Sequence, residues 1–421
     1  MRKLLLITIF ILVVKSSITA SEGVLCQIDK AGFEICGHYD TITFVNLVGT
    51  VSQLTFNVKK LSGIAPNAFQ NVNLTNFKLS HPDPENCTPK SVELKPTSFD
   101  GLRINGSLTL QCVNLIVQPN TFKNFKTVST LMLEKVDLFG NPHDFFADFQ
   151  YLKVLRLFNI NITAISPSVV SGISEKLERF MMEGGIRSIQ PKSFEKFHHL
   201  KYLVLCKGDL TDLQSDMFEG LEQLYYLDLA DNNITVLSNH TFSKLTQLRE
   251  LYLDNNRISE IQSEAFSGLN VHTIDLQDNN IQDLPDGVFG NLQNLETLDL
   301  RTNRIRAVSS KAFRGCISLR SLKLDYNEIS HIDPSAFWGL NLDVLDLSHN
   351  NLNVLERNTF IGLTVDDLLD LRSNNITEIK PRAFINLVAG KVLLCAHNMT
   401  VVDRNTWSVE DTIEYIAIVD C

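Results

Sequence analysis

An α/β solenoid is the fold this sequence predicts, with about sixteen short parallel strands on a concave face and mostly loop or short helix on the convex side. Three observations lead there. Phenylalanine recurs at Phe122 and Phe146, then at Phe194, Phe218, Phe242, Phe266, Phe289, Phe313, Phe337, Phe360 and Phe384, with Val170 filling the one gap. Nearly every step is 23 or 24 residues, and Phe69, Phe99 and Trp407 extend the series. An apolar pair follows each of these positions, as in Leu227/Leu229, Leu251/Leu253 and Leu298/Leu300. Three residues past each pair stands an asparagine, without a break from Asn232 through Asn256, Asn279, Asn303, Asn327 and Asn350 to Asn374.

The residue types follow from the geometry of such a stack. In x-L-x-L-x the leucines face one side of a strand and the intervening residues the other. A single strand of this kind cannot bury its apolar side. Coils stacked at a sheet spacing of about 4.8 Å create one continuous core. The Phe column fills the wider side of each coil. The Asn column offers a donor and an acceptor to loop backbone groups that would otherwise be buried unpaired.

Taken in order, residues 1–20 read as an export signal: Arg2 and Lys3 precede an apolar run from Leu4 to Val14, and Ala20 closes a small-residue stretch. No later segment approaches the roughly 20 apolar residues of a membrane span. Residues 21–50 are expected to form an N-terminal cap, closed by a disulfide between Cys26 and Cys36. The repeats run over 51–394, and 395–421 hold a terminal repeat and C-terminal cap. Between Phe69 and Phe99 the step lengthens to 30 through "SHPDPENCTPKSVELKP", a bulging loop that a Cys87–Cys112 bond would pin. In the first half the asparagine slots hold Val136, Ile160, Gly184 and Gly208, so this half is expected to be less regular. At the far end a disulfide between Cys395 and Cys421 is expected to close the end cap, although the two lie one strand apart and two residues out of register, near the reach limit of such a bond.

The pattern L-x-x-L-x-L-x-x-N-x-I/L, over about residues 51–421, resembles the extracellular leucine-rich-repeat family of the typical subclass, whose fold is a horseshoe. It is similar to Toll-like receptor ectodomains, insect leucine-rich-repeat adhesion proteins and the secreted leucine-rich-repeat immune proteins of mosquitoes, here without their coiled coil. That resemblance implies innate immunity, developmental adhesion or ligand presentation.

Composition narrows the partners. The formal net charge is −10, and loss of Arg2, Lys3 and Lys15 with the signal makes it −13. Nucleic acid and anionic membranes are therefore poor partners. Eight cysteines and eight glycosylation sequons, at Asn73, Asn86, Asn105, Asn161, Asn233, Asn239, Asn375 and Asn398, fit an extracellular chain. No zinc spacing, phosphate loop or nucleophile motif is present, so neither a cofactor nor an enzymatic activity is expected.

Two cysteines have no expected partner. Cys316 takes a core leucine slot, and four to five coils separate it from Cys206, about 20 Å at sheet spacing. Cys206 follows Leu205 and is expected on the open face, either as an inert thiol or as a reactive or intermolecular one that could link a dimer. On the same face Met132, Phe158, Met181 and Val204 should form an apolar patch bordered by Tyr225, Tyr226 and Tyr252. The Asp-rich stripe beyond them reads as a solvated face. The expected function is binding of extracellular proteins on the concave face, with a structural matrix component or a soluble ligand trap as the alternative.

Overall fold

Strands form wherever the apolar alternation occurs, and every repeat contributes one to a parallel ladder. The computed structural model describes residues 25–28, 33–38, 40–47, 52–116, 118–395, 402–409 and 411–419. The expected export signal, Asn398, Cys421 and the side chain of Cys26 lie outside the described residues. The chain divides into two units, Met1–Leu203 and Val204–Cys421, the division falling within the strand Tyr202–Cys206.

In the first unit the ladder runs in parallel through Gln53–Asn57, Val72–Ser80, Leu102–Ile116, Thr130–Phe139, Val154–Phe158 and Arg179–Glu183. Ahead of it Leu25–Ile28, Phe33–His38 and Thr41–Leu47 form an antiparallel meander in which Cys26 stands directly opposite Cys36. Cys36 is disulfide-bonded, and Phe33 and Val45 are fully buried. A Cys87–Cys112 disulfide pins the Pro-rich loop, with 6.3 Å between the alpha carbons. The Lys135 ammonium also holds that loop, donating to the Pro84 carbonyl at 3.1 Å and to that of Glu85.

The first two of the lost asparagines, at the Val136 and Ile160 slots, have a structural answer. Past the Val136 slot the strand does not turn away but keeps pairing, Val113 with Val136 through Ile116 with Phe139. Its backbone groups find partners in the ladder itself, so no side-chain amide is needed. One coil on, Asn161 substitutes: its Oδ1 accepts from the Leu138 N–H at 3.1 Å and its Nδ2 donates to the Leu138 carbonyl at 3.2 Å. The core here is a cluster of phenylalanines rather than a column. Phe122 lies within 5.2–5.7 Å of Phe99, Phe125, Phe145 and Phe149.

The second unit is regular. From Tyr226–Asp228 the ladder passes through Glu250–Tyr252, Thr273–Asp275, Thr297–Asp299, Ser321–Lys323, Asn341–Asp346, Thr364–Leu371 and Val388–Cys395 to Ile413–Val419. Phenylalanine rings stack from Phe242 to Phe266, Phe289, Phe313, Phe337, Phe360 and Phe384 with centroids 5.6–6.2 Å apart. The asparagines form a continuous ladder. Asn303 Nδ2 donates to the carbonyls of Leu276, Leu300 and Arg301, and its Oδ1 accepts from the Ile281 N–H. The side opposite the ladder carries short paired strands, such as Val236–Leu237 with Glu260–Ile261, where sequence suggested mostly loop and short helix. Cys395 is disulfide-bonded, and its register partner is Val419, two residues short of Cys421. Cys316 is a buried free thiol whose Sγ approaches the Phe289 carbonyl at 3.4 Å.

Candidate protein-binding face

The face of each ladder sheet directed away from the leucine core carries the residues between the leucines. In the first unit the register sets Met132 beside Arg156 and Arg156 beside Met181. One step along the strands Phe158 lies between Glu134 and Glu183. Met132, Phe158 and Met181 are half-buried. The patch is not continuous, however. Charged side chains alternate with apolar ones, because residues two apart on one strand and those in register on the next share a face.

Two residues depart from the sequence expectation. Val204 and Cys206 are each only 7% exposed, where both were placed on the open face. This burial favours the inert one of the two readings of Cys206 over the reactive or intermolecular one. The geometry also answers for its shape, since the backbone beyond Cys206 turns at Lys207 and Gly208, whose N–H groups donate to the carbonyls of Ala230 and Asp231.

In the second unit Tyr226 and Tyr252 pack against each other with centroids 5.2 Å apart, and Tyr225, which precedes the strand, is 44% exposed. The Tyr252 hydroxyl donates to Glu250 at 3.1 Å. Burial, and then the Glu250 carboxylate, push the Tyr252 phenol up to about 12. Burial and then Asp228 raise that of Tyr226 further. Both hydroxyls therefore stay protonated at any physiological pH.

The acidic stripe is not a uniformly solvated surface. Asp299, Asp325 and Asp370 are buried. Asp299 is held by Arg301 at 2.8 Å and Lys323 at 3.1 Å, and Asp370 by Arg372 at 2.6 Å. Sequence could not show this because each pair depends on which coil a charge faces. Asp254 and Asp325 are less well compensated. Burial first, then the neighbouring Asp275 and Asp346 respectively, push both carboxyls up to about 6. No group of three or more His, Cys, Asp or Glu among the described residues is arranged to hold a metal ion.

One exposed feature escaped sequence reasoning. Tyr326 stacks on His349, ring centroids 4.1 Å apart and nearly parallel. Both occupy the left-handed slot before a ladder asparagine, which holds Asp231, Asn255, Asp278 or Thr302 elsewhere. An aromatic residue in a slot otherwise filled by small polar ones was the signal.

Comparison with known proteins fits this architecture. The leucine rich repeat family profile matches eight overlapping segments that together span residues 182–399, just over half of the chain. The chain belongs to the leucine-rich-repeat family. Among solved structures it is similar to Toll in the Toll–Spatzle complex of Drosophila, at 18% identity and a TM-score of 0.57, over 96% of this chain and 57% of that one. It is similar to a leucine-rich-repeat protein of Leptospira interrogans, at 18% identity and a TM-score of 0.56, over 87% and 96% of the two chains. It is also similar to mouse RP105 in its complex with MD-1, at 18% identity and a TM-score of 0.52, over 79% and 61%. The chain thus spans 57% of the length of the Toll chain it matches. No curated protein matches by sequence. Among the described residues no helix is long and apolar enough to cross a membrane.

Proposed function

We propose that this is an extracellular recognition protein that binds protein partners on the outward face of its ladder sheet, in innate immune recognition or cell adhesion. The observation that carries the reading is the tyrosine group of the second unit. Tyr226 and Tyr252 stand together, half-buried, on adjacent strands of the ladder, and the exposed Tyr225 precedes the first of these strands. Large aromatics that combine an apolar ring with a polar end are among the residues that dominate protein interfaces. The half-buried Met132, Phe158 and Met181 of the first unit add a second contact area. Toll and RP105, which share the fold, are each known in a complex with a second protein, which supports a scaffold for interaction rather than catalysis.

The reading takes residues 1–20 as an export signal, 21–50 as a cap, 51–394 as repeats and 395–421 as a terminal repeat and cap. Six sequon asparagines, at Asn73, Asn86, Asn105, Asn161, Asn239 and Asn375, are exposed and Asn233 is half-buried, as glycan attachment would need. Affinity capture from extracellular fluid tests the proposal. Partners held by the native chain and lost by Phe158→Asp or Tyr252→Ala support it. Capture unaltered by both substitutions rejects this face, and a chain that only deposits with matrix supports a structural role instead.

A further inference from the structure

Arg156 occupies an unusual position in the first unit. It is half-buried, flanked in register by Met132 and Met181, and followed on its own strand by Phe158. Its Nε is buried without a hydrogen-bond partner, and it makes no ion pair among the described residues. Nearby cations are engaged: Lys153 pairs with Glu178 at 2.8 Å, and Arg179 lies 4.4 Å from the Tyr202 ring centroid. Of the two glutamates diagonal to Arg156, Glu134 is taken by the Gln111 amide.

The Nε is closed to a ligand, but the terminal guanidinium nitrogens have no hydrogen-bond or ion-pair partner among the described residues and can take an acceptor from one. A guanidinium selects a planar, bidentate acceptor, which a carboxylate provides. The surroundings then narrow the choice. Methionine on both sides and phenylalanine ahead favour apolar atoms around the charge. The net charge of −10, with Glu134 and Glu183 close by, disfavours a polyanion such as nucleic acid or a sulfated glycan.

We propose that Arg156, set between Met132 and Met181 and next to Phe158, is the anchor for a partner protein segment bearing a single Asp or Glu side chain among apolar residues. This deepens the docking reading above and rests on it. The carboxylate pairs with the guanidinium, and the flanking side chains of the segment cover the methionines and Phe158. Desolvation of the pair by those apolar contacts strengthens it beyond an exposed ion pair.

A random-peptide phage library selected on the full chain tests this, with the enriched peptides then measured against variants. Enriched peptides should carry Asp or Glu beside Leu, Phe or a similar residue. Their affinity should fall about 10- to 100-fold with Arg156→Met and with replacement of the peptide carboxylate by its amide. Circular dichroism and melting identical to the native chain establish that Arg156→Met folds, and Arg156→Gln serves as a second variant of different shape. Peptides that need Phe158 but not Arg156, or that bind equally as amides, overturn the carboxylate anchor and leave the docking face standing. Peptides indifferent to both Phe158→Asp and Arg156→Met overturn both, as does failure to enrich any sequence. Heparin binding that depends on Arg156 also overturns the proposal, in favour of a polyanion.

Discussion

Asn256 donates from Nδ2 to the Leu229 carbonyl one coil earlier, at 2.9 Å, and the same geometry recurs from Asn232 to Asn374 within 2.8–2.9 Å. Each amide also accepts from a backbone N–H of the preceding coil, as Asn256 does from Ile234. The ladder therefore ties every coil to the one before it through buried bonds, and its members should be the most sensitive polar positions in the second unit.

Asn303→Ala should destabilise the chain by about 2–5 kcal/mol, because three carbonyls and one N–H lose a buried partner. Hydrogen exchange should show the loss locally, in the amides around Ile281 and Leu300. Exchange that rises evenly along the chain would show that the ladder is not a nearest-neighbour device.

Phe289 stacks between Phe266 and Phe313 and is fully buried. Phe289→Ala should cost about 3–5 kcal/mol, measured by chemical denaturation, and Phe289→Leu clearly less. In the Phe122 cluster several rings can shift toward a cavity, so Phe122→Ala should fall at the lower end of that range.

Protonation of the acidic stripe links stability to pH. Asp325 titrates at about 6 in the folded chain, against about 3.9 for an unfolded aspartate. Between those values the folded chain keeps a proton that the unfolded chain has released. The stabilising contribution is therefore complete below about pH 4 and is lost as pH rises to about 6. Asp254 acts in the same direction. Asp325→Asn should raise stability at about pH 7.5 by about 1–2 kcal/mol after allowance for screening, and change little at about pH 4. Denaturation midpoints at the two pH values read this directly.

Loss of the Cys87–Cys112 disulfide should cost about 3 kcal/mol for a sequence separation of 25. Replacing both cysteines by serine should expose the 81–97 loop to limited proteolysis first, since Lys135 alone then holds its Pro84 and Glu85 carbonyls. Cleavage starting elsewhere would show that the loop is held by other contacts.

Asn161 carries two demands at once, as a sequon and as the bridge to both backbone groups of Leu138. A glycan consumes one amide hydrogen and leaves the other to bridge. Asn161→Ala should thus destabilise by about 1–2 kcal/mol even in unglycosylated protein, whereas Asn375→Ala, which makes no such bridge, should be near neutral.

How much of this was legible without the fold depends on the range of the interaction. The period of 24, the buried phenylalanine column and the asparagine ladder all follow from residues whose role repeats at fixed spacing, so one coil explains the next, and the Cys87–Cys112 pairing follows from the one place where that spacing breaks. The outward face is different. Whether Val204 is covered, whether Asp299 meets Arg301 and Lys323, and whether Arg156 finds any acceptor depend on side chains about 24 residues away that happen to share a row. Periodicity assigns each of them to a face but carries no information on the length and charge of its neighbours there.

The amino-acid sequence by itself determined that this chain coils and where each turn packs, because burying leucine, phenylalanine and asparagine at a constant interval leaves only one economical arrangement. Only the tertiary structure decided which outward residues remain available to another molecule, because exposure and charge compensation are properties of rows that run across coils.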